Sequence, residues 1–372
     1  MDRFTRFDPS STGPDIMAWC EWEYYQLFGD RERLEKVFPP LMAYHRWMAE
    51  FRTWPDGTYF SSGWGCGMDN IPRQMPGYSV MFSHGHMVWA DTCMQELNTA
   101  GILLKMSEIL GKNEYMSELK AEYENLSKVI NDKLWDEETG FYYDLWKNGE
   151  LNFVQHIGAY WSLLAEIAPK DRAERMIKHL EDENIFKTEI PVPALAKTHP
   201  AFEKEGNYWC GGVWAPTNYM LLKGLDKYGK HTLAHEIGKA YVDCVAEVFD
   251  ETGTVFENYA PYRKDGKASK GKIAKKDFVG WTGLAPISIL FEYVFGIKPD
   301  APNEKIVWHI DLTERHGVKK YPFGRKGEIT LICEARSSKE EKPQVTVKAD
   351  FPVTVEVIWG EKENKQSFIA GE

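Results

Sequence analysis

Residues 61–76 read SSGWGCGMDNIPRQMP, a stretch that excludes regular secondary structure and separates two helical segments. Three glycines alternate with other residues in its first half, and two prolines close its second half. Glycine is used where the backbone needs a positive φ or must approach another group closely. The loop also carries Trp64, Asp69, Asn70 and Arg73, which predicts a functional site. The alternative is a rigid Asx-type turn in which Arg73 is the ion partner of the acid.

Composition narrows the class of protein. The chain has 372 residues, 43% of them hydrophobic, and it contains 14 Trp, a surplus that is typical of a flat, polar ligand site such as a sugar cleft. The net charge is −11, and the basic run 264–276 is interpreted as a solvated loop, so no nucleic-acid partner is expected.

Targeting and redox signals are sparse. No apolar run is long enough to cross a bilayer, and the first residues lack the apolar core of a signal peptide. We therefore expect no membrane partner and a cytoplasmic protein, or a periplasmic or secreted one if an upstream signal is missing. The six cysteines lack CxxC spacing, which predicts reduced thiols rather than disulfides or a zinc site.

The hydrophobic pattern alternates between two kinds of helix. Residues 90–110 are apolar on nearly all sides, which is typical of a buried inner helix, whereas 114–134 interleave charges and predict an outer one. Inner helices are also predicted at 154–168 and 213–228, and outer ones at 170–183 and 231–249. The other predicted elements are helices at 16–28, 31–51 and 281–295 and a hairpin at 136–149.

This alternation predicts an all-α toroid, in which one ring of helices lies inside another. Because no strands alternate with the helices, a βαβ enzyme is excluded. Beyond Pro299 the hydrophobic period becomes two, which predicts an antiparallel β module of four or five strands. We therefore expect a helical catalytic domain at 1–298 and a β-sandwich-like module at 299–372.

Four loops are expected at the same end of such a toroid: 64–73, 82–91, 207–219 and 256–263. They supply two separated carboxylates, Asp69 and Glu257. Together with Gly280 and Trp281, which close the last of these loops, they also supply five tryptophans: Trp64, Trp89, Trp209, Trp214 and Trp281. Glycoside hydrolysis needs two carboxyl groups, one protonated and one ionised, and aromatic faces stack on sugar rings. The alternative is that both carboxylates are loop ion pairs with Arg73 and Arg263.

Other chemistries find little support in the sequence. The pair His84 and His86 has no third ligand at a recognisable spacing, so no metal is expected. No nucleophile elbow and no glycine-rich phosphate loop is present, and no cofactor is expected.

Several blocks, in order, resemble glycoside hydrolase family 63 and its trehalase and mannosylglycerate-hydrolase-like relatives. The blocks are GWGCGMDNIPR (63–73), LWDEETGFYYDL (134–145), PVPALAKTHPAFEKEGNYWCGGVWAPTNYMLLKGL (191–225), FENYAPYRKDG (256–266) and FVGWTGLAPISIL (278–290). The resemblance extends over about residues 10–300. It implies an (α/α)6 barrel and an inverting α-glycosidase acting on an oligosaccharide or a small glycoside.

The resemblance also implies residue roles. It places the general acid on Asp69 and the general base on Glu257, and inversion implies carboxyl groups about 6.5–9.5 Å apart. The positions matching the sugar subsite are Trp64, Asn70, Arg73, Trp209, Trp214 and Trp281. Trp89, Asn258 and Tyr259 are added as substrate contacts because they lie in the same loops.

Two departures from the family pattern leave alternatives open. Cys210, Gly211 and Gly212 stand where the family has Arg-Gly-Pro, so a charged sugar contact is lost. Only two helices precede Asp69 where five are expected, which predicts about three missing N-terminal helices. The chain would then be a fragment, a ring completed by an N-terminal segment or partner, or a self-associating open arc. A carbohydrate-binding relative with weak or no activity and a helical scaffold protein are the competing functions; the sequence does not define the sugar.

Overall fold

The protein, described here by a computed structural model, is defined for residues 13–371. Its helices lie in the first 294 residues, and the bounds expected for α2 and α4 are confirmed. The helices are α1 (Met17–Phe28), α2 (Arg31–Phe51), α3 (Gly63–Cys66), α4 (Ala90–Leu110), α5 (Met116–Lys133), α6 (Trp161–Leu164), α7 (Lys170–Glu181), α8 (Ala215–Lys227) and α9 (His231–Thr252). Short 3-10 turns are Asn113–Tyr115, Ile157–Tyr160, Trp281–Leu284 and Ala301–Asn303, and Ala285–Val294 is a π-helix.

The strands fall into two groups along the chain. The first group is short and lies between the helices: β1 (Met87–Val88), β2 (Trp135–Asp136), β3 (Phe141–Tyr142), β4 (Asp144–Trp146) and β5 (Leu151–Asn152). The second group forms the C-terminal β domain: β6 (Ile297–Asp300), β7 (Lys305–Ile310), β8 (His316–Phe323), β9 (Gly327–Cys333), β10 (Val345–Ala349), β11 (Val353–Trp359) and β12 (Asn364–Ala370).

The helices form an inner and an outer layer. Every residue from Ala90 to Ala100 of α4 is buried, whereas α5, which packs against α4, buries only Leu119, Leu126 and Ile130. The same contrast separates α8 from α9, and α9 in turn packs on the π-helix. A helix surrounded by apolar neighbours needs no polar face. The hydrophobic pattern of the sequence therefore agrees with the position of each of these helices in the inner or the outer layer.

The inner segment at 154–168 is not the long helix that was expected. Only the four residues of α6 are α-helical there, preceded by a 3-10 turn. The backbone upstream is committed elsewhere, because the Ile157 amide donates to the Ala194 carbonyl at 2.9 Å and the Ala196 amide donates to Gln155 at 3.0 Å. Backbone groups paired with a neighbouring segment are not available for a helix.

The last helix also departs from regular geometry. Residues 285–294 are wound as a π-helix, and the Phe295 amide donates to the Leu290 carbonyl at 2.8 Å, five residues back. π-helical turns are rare and often lie beside functional sites. This one follows directly on Trp281–Leu284, which carries one of the expected site tryptophans.

The β domain contains seven strands in two sheets, rather than four or five. One sheet has the order β12–β11–β7–β6 and the other β10–β9–β8. The expectation of purely antiparallel pairing is wrong for one pair, because β11 lies parallel to β7 with Val355 opposite Ile306. A local hydrophobic pattern defines strands but not their partners, and the excursion through β8–β10 lets the chain re-enter the first sheet in the same direction. The division into domains at residue 298 stays a prediction.

Polar contacts join the β domain to the helices. The Lys298 ammonium on β6 binds both carboxylate oxygens of Asp226 at 2.6 and 2.7 Å, and Arg325 binds Asp30 at 2.5 Å. Between residues 13 and 371, no helix combines the length and the apolar character needed to cross a bilayer.

Candidate active site

The 61–76 loop begins with a single helical turn and a tight backbone contact. The Ser62 hydroxyl accepts a hydrogen bond from the Gly65 amide at 3.0 Å and so caps α3. A Cβ atom on Gly63 would lie 2.3 Å from the Val80 carbonyl oxygen, so only glycine fits there. Gly67 ends the turn with a φ of 79°, after which the chain reaches Asp69.

Arg73 lies at the centre of a buried ion cluster. Its guanidinium binds Asp144 with two nitrogens at 2.5 and 2.7 Å and Asp91 with two at 2.8 and 2.9 Å, and Trp89 stacks on it at 4.1 Å. Both Arg73 and Trp89 are completely buried. These two side chains therefore hold the base of the loop, and their contact with a sugar stays a prediction.

Asn70 connects this loop to the 207–212 segment. Its side chain accepts from the Trp209 amide at 2.9 Å and donates to the Asn207 carbonyl at 3.2 Å. The Cys210 thiol donates to the Asn70 carbonyl at 3.1 Å, and burial raises the pKa of this thiol to about 11. Cys210 is thus a neutral hydrogen-bond donor that connects the two loops. The Asn70 side chain connects them as well, by hydrogen bonds to the backbone of the 207–212 segment.

A line of tryptophans leads from this junction to Glu257. Trp209 and Trp214 are stacked with parallel rings 3.8 Å apart, and Trp214 meets Trp281 edge to face at 5.8 Å. The Trp281 indole then donates to the backbone carbonyl of Glu257 at 3.0 Å. Asn70 and these tryptophans therefore connect the loop that carries Asp69 with the loop that carries Glu257.

A cavity of about 220 Å³ opens between these loops and the inner helices. Met68, the neighbour of Asp69, lines it together with Trp209 and Trp281 from the predicted set. The side-chain amide oxygen Oε1 of Gln95 and the indole nitrogen Nε1 of Trp209 are buried without a hydrogen-bond partner in residues 13–371. Both residues line the cavity. Buried polar groups are normally paired, so these two are available to ligand hydroxyls.

The two carboxylates differ in their surroundings. Glu257 is 3% exposed, and one carboxylate oxygen accepts from the Lys275 amide at 3.3 Å. Asp69 is half-buried, and Trp64, also half-buried, packs on Phe82 at 4.9 Å. The alternative interpretation paired these carboxylates with Arg73 and Arg263. Arg73 instead binds Asp91 and Asp144, and Arg263 binds Glu247 at 2.6 Å.

Asn258 and Tyr259 have structural contacts. Both are fully buried; the Asn258 amide donates to the Ile273 carbonyl at 2.9 Å, and the backbone of Tyr259 pairs with Val213 in both directions. Trp214 is likewise fully buried, behind Trp209. Nε1 of Trp214 and Oδ1 of Asn258 are buried with no hydrogen-bond partner within residues 13–371. Direct contact of these three side chains with substrate stays a prediction.

Three cavity residues were missed because they lie on helices rather than loops. Trp19 belongs to α1, Gln95 to α4 and Trp161 to α6, and all three line the cavity. Gln95 carried a usable signal, since a polar residue inside an otherwise apolar inner helix is costly unless it faces a ligand or partner. Nothing in the sequence distinguishes Trp19 or Trp161 from core tryptophans.

Comparison with known proteins gives one family match that covers most of the chain. Residues 5–278 match the family described as "Mannosylglycerate hydrolase MGH1-like glycoside hydrolase domain". This matched segment contains both carboxylate loops and leaves out the β domain.

Individual relatives are more distant. An uncharacterised protein of Borreliella burgdorferi is 28% identical over 86% of this chain and 67% of its own length. A probable mannosyl-oligosaccharide glucosidase of Schizosaccharomyces pombe is 26% identical over 70% of this chain, which spans only 34% of that protein. A solved GH63 mannosylglycerate hydrolase of Thermus thermophilus in complex with glucose has a TM-score of 0.60 and 23% identity, over 78% of each chain. The layered helices and this likeness fit an α/α toroid followed by a β domain.

Proposed function

The chain belongs to the mannosylglycerate hydrolase MGH1-like family of glycoside hydrolases, and from this premise we propose that it is an inverting α-glycosidase. Its substrate is an oligosaccharide or small glycoside with an α-glucosidic or α-mannosidic bond. The helices are proposed to form part of an (α/α)6 barrel. The active site is proposed to lie where the 61–76 and 253–280 loops meet.

The mechanism assigns one role to each carboxyl group. Asp69 donates its proton to the glycosidic oxygen as the bond to the anomeric carbon breaks. Glu257 removes a proton from a water molecule that attacks the opposite face of that carbon, so the sugar leaves with inverted configuration. No covalent sugar–enzyme intermediate forms in this mechanism.

The observation that carries the proposal is the tryptophan-lined cavity beside the 61–76 loop, which Met68 and Trp281 line next to the two carboxylate loops. Asp69 and Glu257 themselves are not among its lining residues. Its volume of about 220 Å³ is below the range of about 300–1,000 Å³ usual for drug-sized ligands. A cavity of this size favours one sugar ring, held by indole faces and by the unpaired polar atoms of Gln95 and Trp209. We therefore propose that the enzyme removes terminal sugar residues.

The test is a panel of α-glucosides and α-mannosides, including trehalose and mannosylglycerate, with Asp69→Asn and Glu257→Gln. Each variant should lose about 100-fold or more of kcat on every substrate that the wild type cleaves. Asp265→Asn is the matched control, because this exposed loop residue has a φ of 53°, which asparagine accepts. Proton NMR should show the β-anomer released first from an α-glycoside.

Full activity of Asp69→Asn, or first release of the α-anomer, would refute this mechanism. A second candidate, a carbohydrate-binding relative with weak or no activity, is favoured by Cys210, which replaces a charged residue of the family pattern. Calorimetric binding of a panel sugar without turnover, abolished by Gln95→Leu, would support that candidate instead.

A further inference from the structure

A second cluster of functional groups lies behind the cavity wall and has no part in the proposed mechanism. It consists of Asp15 on the segment before α1, His45 on α2 and Glu96 on α4. All three are buried, between 0 and 3% exposed. One potential ligand atom from each residue lies within 4.8 Å of the other two.

Two of the carboxylate oxygens in this cluster face no donor. Oδ2 of Asp15 and Oε1 of Glu96 are buried and have no hydrogen-bond partner among the residues that the structure describes. An unpaired buried carboxylate oxygen is expensive, and it is rare in folded proteins. Two of them in one cluster are an independent sign that a positively charged group belongs between them.

The imidazole of His45 is oriented as a metal ligand would be. Its Nε2 faces Oε2 of Glu122 at 2.8 Å, and the other oxygen of Glu122 accepts the Tyr59 hydroxyl at 2.7 Å. Its Nδ1 faces the cluster, 3.3 Å from Glu96. A carboxylate behind a histidine fixes the tautomer that presents its second nitrogen to a metal, as in carboxylate–histidine–zinc arrangements.

The charge balance points the same way. With Glu122 included, three carboxyl groups surround one imidazole, and no lysine or arginine of residues 13–371 is hydrogen-bonded to any of them. With all three carboxyl groups ionised, even a protonated imidazole would leave this buried cluster with excess negative charge. A divalent cation would balance that charge and would displace the protons that burial otherwise favours on Asp15 and Glu96.

An entry route is present on the outer side. A second cavity, of about 320 Å³, is lined by His45 and Glu122 and also by Glu50 and Glu118. Arg46 also lines this cavity, so three carboxylates face one guanidinium. The remaining negative charge concentrates cations next to His45.

We propose that Asp15, His45 and Glu96 bind one divalent transition-metal ion of the Zn²⁺ or Mn²⁺ class. Mixed nitrogen and carboxylate ligands suit these ions, whose bonds of about 2.0–2.2 Å require the ligand atoms to draw slightly together. The ion is structural. It joins the N-terminal segment to α2 and α4, while the neighbours Pro14, Ile16 and Gln95 line the candidate active-site cavity on the other side.

The experiment uses the full chain, freed of metal with a chelator and then dialysed against Zn²⁺ or Mn²⁺. Elemental analysis should find one ion per chain, and the melting temperature should rise by about 3–5 °C at saturating metal. Glu96→Gln and Asp15→Asn, which keep side-chain size, should each abolish stoichiometric binding and the shift. Glu122→Gln should weaken binding about 10–100-fold.

Two controls separate this site from the surface. Glu118→Gln should retain the ion, because Glu118 lies in the entry cavity and binds Arg46 rather than the cluster. His86→Ala should also retain the ion, which excludes binding at the pair of the half-buried His84 and the exposed His86. X-ray absorption of the metal-loaded wild type should show a coordination shell of nitrogen and oxygen ligands with the outer-shell scattering of one imidazole, and this measurement needs no variant to fold. Absence of stoichiometric metal from the wild type, or equal binding by Glu96→Gln, would overturn the proposal.

Discussion

At the scale of single residues, Arg73 shows that the type of a residue and the motif in which it stands do not determine its contacts. The residue stands in the block that resembles a sugar-binding motif, and its charge made it a candidate sugar contact. The structure places it, completely buried, between Asp91 and Asp144. A guanidinium with five donors can hold two carboxylates in fixed geometry, whereas a lysine cannot. The loop that carries Asp69 therefore rests on Arg73.

This arrangement predicts a large stability effect. Arg73→Met should reduce the free energy of unfolding by about 3–5 kcal/mol, because it leaves two buried carboxylates without a positively charged partner. Arg73→Lys should recover only part of that loss. The measurement is urea unfolding followed by tryptophan fluorescence. The matched control is Arg46→Met, whose exposed partner Glu118 makes the pair worth about 0–1 kcal/mol. Equal effects of Arg73→Met and Arg46→Met would contradict the buried-cluster interpretation.

At the scale of elements, the start of α2 was predicted from a single residue. Asp30 was expected to cap this helix, and its Oδ1 accepts from the Arg33 amide at 3.0 Å. Its second oxygen binds Arg325 of the β domain at 2.5 Å, a contact that no local pattern announces. One side chain thus serves a local and a long-range contact.

Two substitutions separate these contacts. Asp30→Asn keeps the capping oxygen and loses the charge, whereas Asp30→Ala loses both. We expect Asp30→Ala to be less stable than Asp30→Asn by about 1 kcal/mol, the usual value of a helix cap. Thermal unfolding by circular dichroism measures the difference, with Glu32→Ala, an exposed first-turn residue, as the control. Indistinguishable melting temperatures for the two Asp30 variants would show that the cap contributes nothing.

Helix predictions were most accurate where the pattern was long and periodic. The bounds of α2 and α4 agree with the sequence because each helix is 21 residues long and most of its backbone hydrogen bonds are local, even though Pro39 and Pro40 of α2 have no amide hydrogen to donate. The segment at 154–168 failed because its backbone pairs with residues 194–196, about forty positions away. Such a partner is set by the packing of the whole chain and leaves no trace in the local pattern.

At the scale of the whole molecule, two charged contacts bring distant parts together. The Lys223 ammonium of α8 binds Glu23 of α1 at 2.6 Å and Glu292 of the π-helix at 2.7 Å, which joins these three elements. Asp226 binds Lys298 of the β domain and faces the imidazole Nδ1 of His231 at 2.8 Å. Burial alone would raise the pKa of Asp226, but the Lys298 charge and the His231 contact outweigh it and hold this pKa below its ordinary value of 3.8.

A lowered pKa makes the contact a source of stability that acid removes. Above pH 3.8 the carboxylate is ionised in both states, and the pair contributes fully. As the pH falls below that value the unfolded chain takes up the proton first, so the contribution declines. Asp226→Asn should cost about 2–4 kcal/mol at pH 7 and progressively less below pH 4, in urea unfolding at several pH values. Asp243→Asn, in an exposed helical pair, is the control. A cost independent of pH would contradict this assignment.

The sequence by itself determined the alternation of inner and outer helices, the change to strands near residue 299, and the loops that carry Asp69 and Glu257. These properties follow from local hydrophobic period and from glycine and proline, which act within a few residues. Only the tertiary structure decided which side chains of those loops are covered, that Trp19, Gln95 and Trp161 line the cavity, and that Asp15, His45 and Glu96 converge. Burial and convergence depend on contacts between residues far apart in the chain, and a linear pattern does not encode these distances.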